Sequence, residues 1–143
     1  MAVLTGRLIV KAVESGELRI DRFDTSLARG ASYELRLHPR ILASALGPDA
    51  HGEIVTLTEE RPVYRIQCGQ TVGVLSAEML TLPSTLSGRF GIRSDFARHG
   101  LLAYGGLQLD PGWRGRLYLG LLNVGPESIP LELSEPLFSV EFS

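Results

Sequence analysis

The chain has 143 residues, 44% hydrophobic and 21% charged, with a formal net charge of −2. That length suits one domain able to bury an ordinary core, and the composition excludes a disordered or fibrous chain. The small negative charge argues against binding the backbone of a nucleic acid, and no apolar run is long enough for a membrane span.

The first residues lack a basic start followed by an apolar core, so no secretory signal is expected. The single cysteine, Cys68, has no internal partner, which fits a reducing cytoplasm. In chain order, Thr5 is placed to cap a short helix running to about Ser15, with Leu8, Ile9, Ala12 and Val13 on one face and Gly16 as its stop. The helical period then disappears. Ser32–Leu37 alternates polar and apolar residues, as a half-buried strand does. Further short strands are expected over Ile54–Leu57, Val63–Gln67, Val72–Ser76, Leu86–Ile92, Leu117–Leu122, Ile129–Leu133 and Leu137–Phe142. Gly47-Pro48, Gly105-Gly106, Pro111-Gly112, Gly125-Pro126 and other Gly and Pro positions punctuate them. Many short strands behind one N-terminal helix predict a mostly β fold, a sandwich or jelly-roll-like barrel, as a single domain over residues 1–143.

Charge is unevenly spread. Between Arg89 and Arg116 stand five arginines and two acids, a local net of +3, while the rest carries nine basic and fourteen acidic residues. Guanidinium forks suit phosphate and carboxylate, although for arginine richness alone a codon-biased genome and surface pairing are the better account. The histidines, His38, His51 and His99, are not at ligand spacing from one another or from Cys68, so no metal site is expected. Cys68 reads as a small buried hydrophobe, and His99 as a solvated loop residue.

Two segments stand out. In Arg93-Ser94-Asp95-Phe96-Ala97-Arg98-His99-Gly100, a helical turn would place Ser94 and Arg98 on one face, converging with turn amides on an anion. In Gly105-Gly106-Leu107-Gln108-Leu109-Asp110-Pro111-Gly112-Trp113-Arg114-Gly115, two tight turns bracket a short strand. Asp110 either caps the following turn through its side chain or faces a ligand hydroxyl. Trp113 is either a core anchor or a pocket wall.

Together these segments resemble the dCTP deaminase branch of the dUTPase superfamily. The family's Arg-Ser-Ser-Leu-Ala-Arg-x-Gly-Leu element corresponds to Arg93–Leu101, and its Ile-Asp-Pro-Gly-Trp/Phe-x-Gly element to Leu109–Gly115. Gly16–Ile20, Ala31–Leu37 and Leu80–Gly88 extend the likeness along nearly the whole chain, in order. The resemblance implies a distorted β-barrel forming a homotrimer, with a deoxyribonucleoside triphosphate or other small ligand at the subunit interfaces. Arg93, Ser94 and Arg98 would then face the phosphates, Ser94 and Arg98 also helping catalysis. Asp110 would stand near the sugar 3′-hydroxyl, or orient water as in dUTPases, with Trp113 against the sugar. No tightly bound cofactor is implied, only Mg²⁺ accompanying a triphosphate.

Departures from the pattern carry the functional expectation. Gly120 stands where the family's deaminases place the glutamate that moves protons during attack on cytosine C4. Losing a positioned acid/base costs roughly 10²–10⁴-fold in rate. Gln108 replaces a base-reading Arg, Asp95 replaces a serine of the phosphate element, and the sequence ends at Ser143, where family members continue into a tail that closes the site. The expectation is a dCTP deaminase-like homotrimer whose ancestral conversion of dCTP to dUTP is lost or altered, with Gly120→Glu expected to create or raise it. The alternatives are a dUTP diphosphatase using Asp110, a non-catalytic regulator, or an enzyme for a more apolar ligand. In the last, Gly120 makes room and Trp113, Tyr104 and Leu107 line a pocket.

Overall fold

A short amphipathic helix opens the chain in the computed structural model, which describes residues 2–43 and 52–143. Helix α1 (Gly6–Glu14) turns Ile9 and Ala12 inward, one helical turn apart. Leu8, expected on the same face, is 46% exposed. Thr5 occupies the capping position, but only its carbonyl contributes, accepting the Ile9 N–H at 2.9 Å; its hydroxyl caps nothing. Gly16 stops the helix at φ 80°, a left-handed conformation that glycine adopts without strain, and donates to the Val13 carbonyl at 3.0 Å. The expected Gly47-Pro48 turn and His51 lie outside the described residues.

Fourteen strands follow in the described residues: β1 (Arg19–Ile20), β2 (Ala28–Arg29), β3 (Ser32–Ala43), β4 (Ile54–Thr56), β5 (Val63–Ile66), β6 (Thr71–Ser76) and β7 (Leu80–Thr81), then β8 (Gly88–Ile92), β9 (Leu101–Tyr104), β10 (Gln108–Leu109), β11 (Arg114–Gly115), β12 (Tyr118–Asn123), β13 (Ile129–Glu132) and β14 (Pro136–Phe142). A 3-10 turn spans Thr25–Leu27, and a second helix, α2, spans Ser94–Arg98. The main sheet runs β10-β8-β14-β3-β6-β12-β9, with β2 and β4 also pairing with β3. Two small sheets, β1-β7-β11 and β13-β5, complete it. All the pairings are antiparallel. Every strand expected over the described residues is present, and the fold is the mostly β curled sheet that the sequence implies. Among the described residues no helix is long and apolar enough to cross a membrane.

β3 bends the sheet. Its first half pairs with β14 and its second half with β6, and the register shifts between Leu37 and Ile41. Pro39, which has no N–H to give a ladder, sits within that shift, and such irregularities bend and twist strands. The curled inner face buries Tyr33, Leu35 and Ile41 of β3 with Leu119 and Leu121 of β12, and with Phe138 and Phe142 of β14.

Beside the bend stands a buried carboxylate. Glu78 is 0% exposed, and its Oε1 accepts the Arg36 amide at 3.0 Å while its Oε2 accepts the Arg36 guanidinium at 3.1 Å. Arg36 reaches on to Asp24 Oδ2 at 3.2 Å, and the Asp24 amide donates to the Tyr33 hydroxyl at 3.0 Å. Burial pushes the Glu78 carboxyl above its ordinary 4.5, against the Arg36 amide and guanidinium that lower it.

Glu78→Ala leaves Arg36 without its buried acceptor and is expected to cost about 3–5 kcal/mol in urea unfolding. The raised value also sets a pH dependence. The folded chain binds this proton at higher pH than the unfolded chain does, so the group's contribution is full below pH 4.5 and is lost as pH rises through the raised value. Melting curves of Glu78→Gln, uncharged throughout, are expected to lack that part of the decline.

Candidate functional site

The Arg93–Gly100 segment forms the helical turn its sequence implies. The Arg93 amide donates to the Leu137 carbonyl at 2.9 Å, tying the start of α2 to β14, and Phe96 is buried beneath it. Gly100 ends the turn at φ 97°, where a β-carbon would fall 2.7 Å from the Gly125 backbone. Ser94 and Arg98, both exposed, line one hollow of about 450 Å³ together with Arg29, Glu34, Arg93 and Asp95.

Three guanidinium groups face two carboxylates in this hollow. Arg93 Nε lies 3.5 Å from Glu34 Oε1 and 3.7 Å from Asp95 Oδ1, and Arg29 Nε lies 3.7 Å from the same Glu34 oxygen. Arg98 is in no ion pair among the described residues. The hollow therefore keeps a net positive charge and one uncommitted fork, the arrangement that captures an oxyanion. Arg29 and Glu34 escaped the sequence reading, because they are brought to α2 only by the pairing of β2 with β3 and of β3 with β14.

The second segment folds as a type II turn. Pro111 takes the second position, Gly112 the third at φ 81°, and the Trp113 N–H closes it on the Asp110 carbonyl at 3.0 Å. The turn is anchored by Gly112 N–H to the Pro83 carbonyl and Leu82 N–H to the Trp113 carbonyl, at 3.1 and 2.8 Å. Of the two readings of Asp110, the turn cap is not the one adopted: the main chain closes the turn, and the exposed carboxylate lines a hollow of about 470 Å³ with Gln108, Arg89 and Glu141. Trp113 is neither a core residue nor a wall of that hollow; it is 36% exposed and leans toward Gly115.

A third hollow, of about 290 Å³, shares Arg89 and Glu141 with the Asp110 end and Ser32 and Ser139 with the Arg98 end. The three make a polar trough along the outer face of β10, β8, β14 and β3. Within one chain the two groups of site residues thus stand at opposite ends of a trough and are not brought together.

Gly120 lies on β12, opposite Gly73 of β6 on one side and Tyr104 of β9 on the other. A β-carbon there would fall 2.8 Å from Cδ2 of the Tyr104 ring and closer still to Cε2 and Cζ. The space beside the glycine is taken by the ring of the chain's own Tyr104. Leu107 packs against the core rather than joining an apolar pocket with Trp113. Burial pushes the Tyr104 phenol above its ordinary value, with neighbouring Tyr118 adding to the shift.

Cys68 is exposed, not buried, and its Sγ lies 3.0 Å from the Gly125 carbonyl. His99 is exposed at the end of α2, with Nδ1 2.7 Å from the Asp95 carbonyl. Behind α2 lies a hollow of about 470 Å³ lined by Phe96, Arg98, Ile129 and Glu135, which no local pattern signals. Burial there pushes the Glu135 carboxyl up, against the Glu132 amide that donates to its Oε1 at 2.7 Å and the nearby Arg93 charge, while the Glu132 and Asp95 charges add to the rise.

A family model described as dCTP deaminase-like matches residues 3–142. The chain is 30% identical over 142 residues to a dUMP-forming dCTP deaminase of Corynebacterium efficiens, covering 92% of this chain and 72% of that one. A solved 2′-deoxycytidine 5′-triphosphate deaminase from Agrobacterium tumefaciens superposes with a TM-score of 0.78 at 19% identity. It covers 98% of this chain, which spans about half (47%) of that one. A mutant dUTPase of Staphylococcus bacteriophage 80alpha with dUpNHpp superposes with a TM-score of 0.58 at 10% identity, over 88% of this chain and 89% of that one. At these identities the two structures establish a shared fold.

The turn geometry separates two neighbouring residues by what they do. Asp110→Asn is expected to leave unfolding stability within about 0.5 kcal/mol of the parent, as exposed substitutions do. Gly112→Ala, forced into the left-handed region, is expected to cost about 1–2 kcal/mol. Chemical denaturation of both variants checks the contrast.

Proposed function

The chain belongs to the dCTP deaminase-like family, and from that premise we propose a homotrimeric deoxynucleotide-binding protein that has lost the family's deamination chemistry. In this reading the triphosphate lies against Arg93, Ser94 and Arg98 of one subunit. The sugar and base lie against Asp110, Gln108 and Trp113 of the next. The separation of these two groups along one chain supports a shared site, since each end is chemically suited to its half of a nucleotide. Among the described residues no three His, Cys, Asp or Glu side chains are grouped so as to hold a metal ion. Mg²⁺ enters this reading only as the counter-ion of the nucleotide.

The observation that carries the reading is position 120. Hydrolytic deamination needs a group that takes a proton from water as it attacks cytosine C4 and returns one to the departing ammonia. Gly120 has none, and the space beside it holds the Tyr104 ring. A second reading, dUTP hydrolysis to dUMP, is favoured by Asp110: its carboxylate is exposed and takes no part in closing its own turn, so it is available to orient a water.

Incubation with dCTP and dUTP in Mg²⁺, followed by chromatography, separates the readings. The expected result is that calorimetry detects binding while neither nucleotide is converted. Arg98→Ala is expected to weaken binding by about 10-fold or more, the value of a charge-assisted contact. Formation of dUTP from dCTP would overturn the reading. Formation of dUMP from dUTP, abolished by Asp110→Asn, would install the diphosphatase in its place.

A further inference from the structure

We infer that Tyr104 is the residue that determines what position 120 can hold, so that the loss of deamination is written in two residues rather than one. The inference rests on the reading of position 120 given above. Tyr104 and Gly120 are direct cross-strand partners on β9 and β12, and Gly120 is also paired with Gly73 of β6. Two facing glycines leave a bare strip across the sheet, and two tyrosines cover it. The Tyr104 ring lies over Gly120, and the Tyr118 ring, two residues before Gly120 on the same face of β12, lies over Gly73. Aromatic cover of strand glycines restores packing that the glycine lacks.

The cover is tight. A β-carbon at Gly73 would fall 2.8 and 2.9 Å from two carbons of the Tyr118 ring, much as one at Gly120 would meet Tyr104. Laying Tyr104 across the strip also buries its hydroxyl, which finds no hydrogen-bond partner among the described residues. An unpartnered buried hydroxyl is a cost, so the contact of ring with glycine offsets it. Any side chain at position 120 has to lift the ring off the sheet. A carboxylate placed there alone would compete with the ring for the same volume, and the water it should activate would be excluded with it.

Two sets of variants in the full chain test this. Gly120→Ala is expected to lower the melting temperature by several degrees in the presence of Tyr104 and to have little effect on top of Tyr104→Ala. Tyr104→Val, suited to a strand, takes the place of Tyr104→Ala if the alanine variant does not fold. With dCTP as substrate, Tyr104→Ala combined with Gly120→Glu is expected to form dUTP at least about 100-fold faster than Gly120→Glu alone, the lower range for a positioned acid/base. The inference is overturned if Gly120→Ala melts like the parent beside an intact Tyr104, or if Gly120→Glu alone deaminates as fast as the pair. Coupled melting without dUTP from either glutamate variant would uphold the role of Tyr104 and instead remove the reading of position 120 as a lost proton-moving site.

Discussion

One buried carboxylate organises the bend on which the sheet depends. Glu78 holds both the backbone and the guanidinium of Arg36 at 3.0 and 3.1 Å, close to the point where β3 leaves β14 for β6. The Ser76 hydroxyl donates to the Glu78 carbonyl at 2.8 Å and accepts the Leu117 amide at 2.9 Å, so the same short link also fixes the entry to β12. A charge so placed brings little net stability of its own, because desolvation consumes most of the attraction. Its value is geometric: it has partners only when β3 turns at this place.

With the sheet curled, the inner face is committed to aliphatic and aromatic packing, and chemistry is confined to the outer face and the strand ends. Strand alternation puts Arg89 and Gly91 of β8 beside Glu141 and Ser139 of β14 on the side away from the core. Arginines and acids interleave along that trough, which neutralises most of its length and leaves its surplus positive charge near α2. The positive field is therefore strongest at one end rather than spread along the whole face.

The strands were legible in the sequence because alternation and Gly/Pro punctuation report directly on a half-buried sheet. The helical turn at Ser94–Arg98 was legible too, since four-residue spacing is a local property. The two-residue strands β1, β2, β7 and β11 were too short to carry a period. Glu34 beside Arg93, and Tyr104 over Gly120, arise from strands distant in sequence whose register no local signal fixes. Gly120 was noticed, but whether a glycine opens space or is covered depends on its cross-strand neighbour. Whether the Asp110 side chain caps its turn was left open by the sequence, since Asp serves in both ways, and here the turn does without it because Pro111 and Gly112 supply the backbone angles by themselves.

That last feature bears on how the protein can change. A turn held by main-chain bonds places Asp110 without asking anything of its carboxylate, so the exposed side chain is uncoupled from the residues that keep the hairpin folded. Position 110 is thereby a site where selection, or a designer, can try new chemistry while the scaffold stays as it is. Position 120 offers no such freedom, since its occupant is negotiated with an aromatic neighbour. Within one small fold, then, positions 110 and 120 differ in evolvability, and the difference is set by whether backbone or side chain makes the supporting contact.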